Sequence, residues 1–151
     1  MLNFGMVSEE IDESLELYFQ QCSFLVNARD LAVMGATFDN GGLNPFTHRR
    51  AVEAEYVKDI LSLMVSCGMY DYAGEWAYRV GMPAKSGVGD GIVAVVPDKM
   101  AIATFSPPLD PKGNSVRGIQ VCRELSERFG LHAFECGFAG PGIDEQLSKV
   151  R

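Results

Sequence analysis

Gly91-Ile92-Val93-Ala94-Val95-Val96, Pro97-Asp98-Lys99 and Met100-Ala101-Ile102-Ala103-Thr104-Phe105 form the stretch at which the hydrophobic pattern turns from helical to β. Two runs rich in β-branched and aromatic residues flank a three-residue turn, so the segment predicts a hairpin. Just upstream, Ala84-Lys85-Ser86-Gly87-Val88 precedes it across Gly89-Asp90-Gly91 and is expected to pair as a third antiparallel strand. Pro107-Pro108 ends the sheet, because proline has no N–H to donate to a ladder.

Before the sheet the chain reads as helices. Ser8 opens the first, with Glu9, Glu10, Asp12 and Glu13 placed where acidic groups meet the positive end of the helix dipole. It is expected to run to about Val26. Ile11, Leu15, Tyr18, Phe19, Cys22, Leu25 and Val26 follow helical spacing and predict one buried stripe with Tyr18 facing inward. Asn27 can cap a second helix carrying Leu31, Met34 and Phe38, which Asn40-Gly41-Gly42 stops with a left-handed turn. Residues 42 to 51 read as a loop. A third helix starts near Glu53, presents Val57, Ile60, Leu61 and Met64 on one face, and closes at Gly68; a short one comes next over Met69 to Val80, ending at Gly81.

After the sheet, Asn114 or Ser115 caps a long helix whose Val116, Ile119, Cys122, Leu125 and Phe129 are expected to face inward before Gly130. That helix should lie on the sheet. Three short strands under a single helix would still leave sheet edges open. Residues 136–151, with Cys136-Gly137-Phe138-Ala139-Gly140-Pro141-Gly142, read as a flexible or short-helical tail to a domain over residues 1–135. The fold class is therefore α+β: a helical segment, then antiparallel strands, then a packing C-terminal helix.

A chain of 151 residues can bury a sizeable core as one domain. Its net charge of -7 argues against nucleic acid, whose phosphates are held by clustered Lys and Arg. No apolar run approaches the roughly 20 residues that span a bilayer, and the N-terminus lacks the pattern of a signal peptide, so a cytoplasmic protein away from membranes is expected. Cys22, Cys67, Cys122 and Cys136 have no C-x-x-C spacing; four buried thiols are expected, with disulfides left open. His48 and His132 have no ligand-like partners in sequence and read as surface or loop histidines.

Lys85-Ser86-Gly87 fits the K-[ST]-G element that lines the site of serine acyl-transfer enzymes. A small hydroxyl and a glycine let a strand approach substrate closely, and the next N–H, on Val88, can point at a developing oxyanion. Three residues alone fit an ordinary strand entry equally well. The surroundings decide otherwise. Cys67-Gly68-Met69-Tyr70-Asp71, Val80-Gly81-Met82-Pro83-Ala84 leading into Lys85, Phe105-Ser106-Pro107-Pro108-Leu109-Asp110 and Gly113-Asn114-Ser115-Val116-Arg117-Gly118 occur in that order. Together with Tyr18-Phe19-Gln20-Gln21-Cys22-Ser23 and Asn40-Gly41-Gly42, they resemble the serine-dependent glutaminase family over nearly all of the chain to about Phe134.

The resemblance implies a partial β-lactamase/transpeptidase-like domain, the C-terminal half of the family's fold. It also implies hydrolysis of L-glutamine to L-glutamate and ammonia through a serine of an S-x-x-K motif, with no metal and no cofactor. None of the chain's serines has a lysine three residues on. By this resemblance Tyr70 is catalytic and substrate-binding, Tyr18 is a second site tyrosine that binds substrate, and Val88 supplies an oxyanion-hole N–H, with Lys85, Ser86 and Gly87 as its supporting strand. Asp90 stands where the family's glycine run has a further glycine. By spacing alone Tyr18 reads as a core tyrosine, and Tyr70 as a side chain packed over a helix end.

The sequence supports two functional expectations: a glutaminase-family amidohydrolase sequence that is inactive by itself, or an inactive truncated remnant serving as an assembly or regulatory module. Self-association into a homo-oligomer is expected either way. Met1-Leu2-Asn3-Phe4-Gly5 reads as the end of an internal family helix rather than as a protein start. A β-lactam-binding protein would share Lys85-Ser86-Gly87 but not the contexts around Tyr70 and Asn114.

Overall fold

The structure is a computed structural model describing residues 11–135 and Ser148. The expected tail, and the helix start at Ser8, lie outside the described residues. Among residues 11–135 five helices and three strands succeed one another: α1 (Ile11–Cys22), α2 (Ala28–Asp39), α3 (Ala54–Cys67), a 3-10 turn at Tyr70–Tyr72, α4 (Ala73–Arg79), β1 (Ala84–Ser86), β2 (Gly91–Val96), β3 (Met100–Phe105) and α5 (Val116–Phe129). The α+β order expected from the sequence is the one observed.

The strands form one antiparallel sheet in the order β1-β2-β3, with Ser86 opposite Ile92 and Ile92 opposite Thr104. Alternation along β2 sends its side chains to opposite faces. Ile92, Ala94 and Val96 enter a core with Met69, Trp76, Val80, Met82, Ala84, Cys122 and Leu131, against which Ile119, Leu125 and Phe129 of α5 pack. Trp76 is fully buried because its indole N–H has a partner, the Met82 carbonyl at 2.7 Å.

The other face is covered too, which one-helix packing did not anticipate. Here α2 crosses the sheet so closely that a Cβ on Gly35 would stand 2.7 Å from Ala101 Cβ and 2.8 Å from Val93 Cγ2. A helix glycine, rather than a longer apolar stripe, marks the contact. Asn27 caps α2 by accepting from the amides of Arg29 and Asp30, and Asp30 accepts in return from the Asn27 amide. The first edge of the sheet is shielded as well, since the Ser86 amide donates to the Gly68 carbonyl at 3.0 Å.

Four other expectations are corrected. The stripe of α1 is uncovered: the helix buries none of its residues, and Tyr18 is 58% exposed. Periodicity identifies the apolar face of a helix but not the surface that covers it. Cys22 and Cys67 are exposed and only Cys122 is buried, all three as free thiols, while Cys136 lies outside the described residues. Burial pushes the Cys122 thiol up to about 12. The first strand ends at Ser86, because the Gly87 amide turns to the Gly91 carbonyl and closes a tight loop that holds Val88. Val116, in the first turn of α5, is also exposed, since the helix turns its face inward only from Gly118 and Ile119 onward.

Gly68 closes α3 with a right-handed φ of -69°, so a left-handed stop is not its purpose. A Cβ there would stand 1.8 Å from the Ala84 carbonyl oxygen. Gly68→Ala is expected to destabilise the chain by about 1–3 kcal/mol or more through overpacking. Gly74→Ala, on an open part of α4 where a Cβ meets nothing within 4 Å, should instead stabilise by roughly 0.5–1 kcal/mol. Urea denaturation midpoints of the two variants, moving in opposite directions, check the pair.

Candidate active site

The elements around β1 bring Tyr70, Lys85, Val88 and Gly113 to one corner. Tyr70 comes just after the end of α3 with φ +52°, a left-handed conformation that costs a bulky residue energy. The residue is 43% exposed, and Lys85 Nζ sits 4.5 Å from the ring centroid while donating to the Ser86 carbonyl. Gly113, at φ +85°, lies between the tyrosine and the loop: a Cβ built on it would stand 3.8 Å from both Tyr70 Cε2 and Val88 Cγ1.

Val88 occupies the tip of the loop after β1 and is 72% exposed. Among the described residues its N–H donates to no acceptor, so the amide is available to an oxygen from outside the chain. Asp90 takes φ +67°, which an aspartate tolerates better than a β-branched residue does. The loop therefore keeps a left-handed step at the position where the family resemblance implies glycine.

Tyr18 stands on α1, apart from these contacts. A hydrogen bond with the Cys22 thiol raises the phenol's pKa most, and that thiol's charge, desolvation, and the charge of Tyr70 add to it in that order. No hydrogen bond joins the two tyrosines among the described residues. Lys112 adds a second ammonium at the Tyr70–Tyr72 turn, 5.2 Å from the Tyr72 ring centroid. In a chain of net charge -7, two lysines thus stand beside one short turn. Such a corner can support a proton-transferring phenol and stabilise negative charge on an oxygen near Val88.

Sequence reasoning singled out the tyrosines, the valine and the lysine but gave no site role to Gly113 or Asn114. Ser115 is the actual cap of α5, accepting from the Gly118 amide at 3.1 Å. That leaves Asn114 free to turn inward, where it is fully buried and accepts from Ser86 Oγ at 2.6 Å. The Asp110-Pro111-Lys112-Gly113 turn signal was the available clue. His48 lies in the 42–51 loop as expected, and His132 is partly covered over Gly81, with Nε2 3.2 Å from the Tyr78 carbonyl. Among the described residues no group of His, Cys, Asp or Glu could hold a metal ion.

A three-stranded sheet whose first strand ends in Lys85 and Ser86, with Gly87 opening the next loop beside a strained tyrosine, fits part of a β-lactamase-like α+β fold. The profile of the glutaminase family matches residues 1–134, and the chain belongs to that family. A glutaminase of Nostoc sp. is 63% identical over 94% of this chain, and one of Microcystis aeruginosa 63% identical over 89%. The chain spans 42% and 40% of the length of these relatives. The solved structure of a probable glutaminase, YbaS, superposes with a TM-score of 0.84 at 48% identity, covering 87% of this chain and 43% of that one. The Bacillus subtilis glutaminase YbgJ, in covalent complex with 5-oxo-L-norleucine, superposes with a TM-score of 0.82 at 32% identity, covering 87% and 48%.

The Cys22 contact yields a direct test. Removing the thiol in Cys22→Ala should lower the Tyr18 phenol pKa toward its ordinary value. An NMR titration tracking the Tyr18 Cζ resonance reads the change, and an unmoved midpoint contradicts it.

Proposed function

We propose that these residues form the C-terminal part of a glutaminase site that converts L-glutamine and water to L-glutamate and ammonia by acyl transfer. The observation that carries the reading is the convergence of Tyr70, Lys85 and the free Val88 amide around Gly113 in a chain of this family. A relative's covalent adduct with 5-oxo-L-norleucine and another's glutamate-bound form support the chemistry and the substrate class.

In this reading a serine hydroxyl attacks the γ-amide carbon, and the carbonyl electrons move onto oxygen, where the Val88 N–H stabilises them. Tyr70 relays the proton given up by the serine hydroxyl to the departing nitrogen, the oxyanion electrons re-form the carbonyl as the C–N bond breaks and ammonia leaves, and water then adds to the acyl ester, returning a proton to the serine oxygen as glutamate is released. Tyr18 binds the substrate beside Tyr70. Lys85, Ser86 and Gly87 hold the strand that aims Val88. These steps draw on no metal or cofactor.

The serine of that scheme belongs to an S-x-x-K motif, which residues 1–151 do not contain. The purified chain is therefore expected to release no ammonia from L-glutamine above a protein-free blank in a coupled glutamate dehydrogenase assay. Ammonia release that disappears in Tyr70→Phe would overturn this.

A second reading, a non-catalytic assembly module, is favoured by one observation, the uncovered apolar face of α1 with Phe24 and Leu25 beside it. Self-association in the cytoplasm fits both readings. The described residues include no helix long and apolar enough to cross a membrane. Light scattering should return a homo-oligomer, and a stable monomer over a wide concentration range counts against it.

A further inference from the structure

Asn114 is fully buried, and every polar group it owns is used. Its side-chain oxygen accepts from Ser86 Oγ at 2.6 Å, and its side-chain nitrogen donates to the Met69 carbonyl at 3.4 Å. Its amide donates to Asp110 Oδ1 at 2.9 Å, and its carbonyl accepts from the Asp110 amide at 2.7 Å. One residue thus ties three segments that are remote in sequence.

Each tie ends beside a site group. Met69 directly precedes Tyr70. Ser86 ends β1, two residues before Val88, and is itself only 2% exposed. The Asp110–Asn114 turn carries Gly113 into the space between the Tyr70 ring and the Val88 side chain. We propose that Asn114 is a positioning residue of the candidate active site, holding the Tyr70 turn and the Val88 loop in register through the Ser86–Asn114–Met69 bridge.

The chemistry of the side chain explains the choice of residue. A bridge from a hydroxyl donor to a carbonyl acceptor needs a group that accepts at one end and donates at the other, which a short amide does. Aspartate could accept from Ser86 but would face the Met69 carbonyl with a second acceptor, and it would bury a charge. Ser126 serves as the comparison. It is equally buried and donates to the Val80 carbonyl at 2.7 Å, within the core and away from the corner.

The inference rests on the reading that Tyr70 and Val88 belong to one site, and the test keeps the two apart. In the full chain, NOEs from Gly113 Hα to the Tyr70 ring and to the Val88 methyls report the register, and the Trp76 indole proton, bonded to the Met82 carbonyl, reports an intact core. Asn114→Ala and Asn114→Asp should lose both sets of NOEs while the indole proton stays protected. Ser126→Ala should lose stability yet keep them. Ser86→Ala, which removes one bond of the bridge, should weaken them and serves where the Asn114 variants fail to fold. Retention of the Tyr70 NOEs in a folded Asn114 variant, or in Ser86→Ala if neither Asn114 variant folds, overturns the proposal. Titrating the wild type with L-glutamate reads the site assignment separately: resonances of Tyr70 and Val88 that do not respond count against the site while leaving the register result intact.

Discussion

The close seating of α3 on β1 is the constraint on which the rest of the structure depends. At Gly68 the end of the helix meets the Ala84 carbonyl with no space for a side chain, and the Ser86 amide donates back to the Gly68 carbonyl. A backbone contact this tight leaves the flanking segments little freedom. On one side the chain must leave the helix at once, through Met69 into the Tyr70–Tyr72 turn. On the other, β1 can extend no further than Ser86 before the Gly87 amide closes the Val88 loop. Glycine is therefore required by proximity, whereas Gly81 and Gly130 are required by positive φ.

That distinction also explains what was legible in the sequence. The hairpin, the third strand and four of the helix boundaries carried local signals: turn residues at Pro97-Asp98-Lys99, the Asn27 cap, the glycine stops. Such signals act within a few residues and need no knowledge of neighbours. Apart from the early end of β1, which a local loop bond sets, the misjudged features depended on what packs where. The apolar spacing of α1 is real, but nothing in its own pattern says that a surface faces it. Cover over the second face of the sheet came from α2, whose Gly35 contact has no periodic signature. Asn114 was offered with Ser115 as a cap because capping is local, and Ser115 is the cap, while the Asn114 bridge joins residues 28 and 45 positions away.

The site shows the same division. Lys85-Ser86-Gly87 became informative only through its ordered neighbours, and the structure explains why those neighbours occur together. Gly113 separates Tyr70 from Val88, Asn114 links Met69 to Ser86, and Lys85 lies over Tyr70. Short motifs far apart in the chain are the several walls of one corner. Tyr18 is the exception, since it belongs to a helix that buries none of its residues and makes no hydrogen bond to Tyr70 among the described residues.

The left-handed backbone at Tyr70 bears on how such a corner can work. A bulky residue held there costs about 1–3 kcal/mol, so it persists only where the surroundings over-determine it. No single contact here is large enough. An exposed cation–π pair such as Lys85 with Tyr70 contributes about 0.5–1 kcal/mol, and each neutral hydrogen bond of the Asn114 bridge about 0.5–1.5 kcal/mol net. Taken together they match the strain, and the Tyr72 amide bonded to the Met69 carbonyl closes the same turn. The backbone and ring of Tyr70 are thus held by groups of the chain itself. A donor that is already in place when charge develops stabilises it without first reorganising, which is the condition under which a tyrosine and a backbone amide are most effective in acyl transfer.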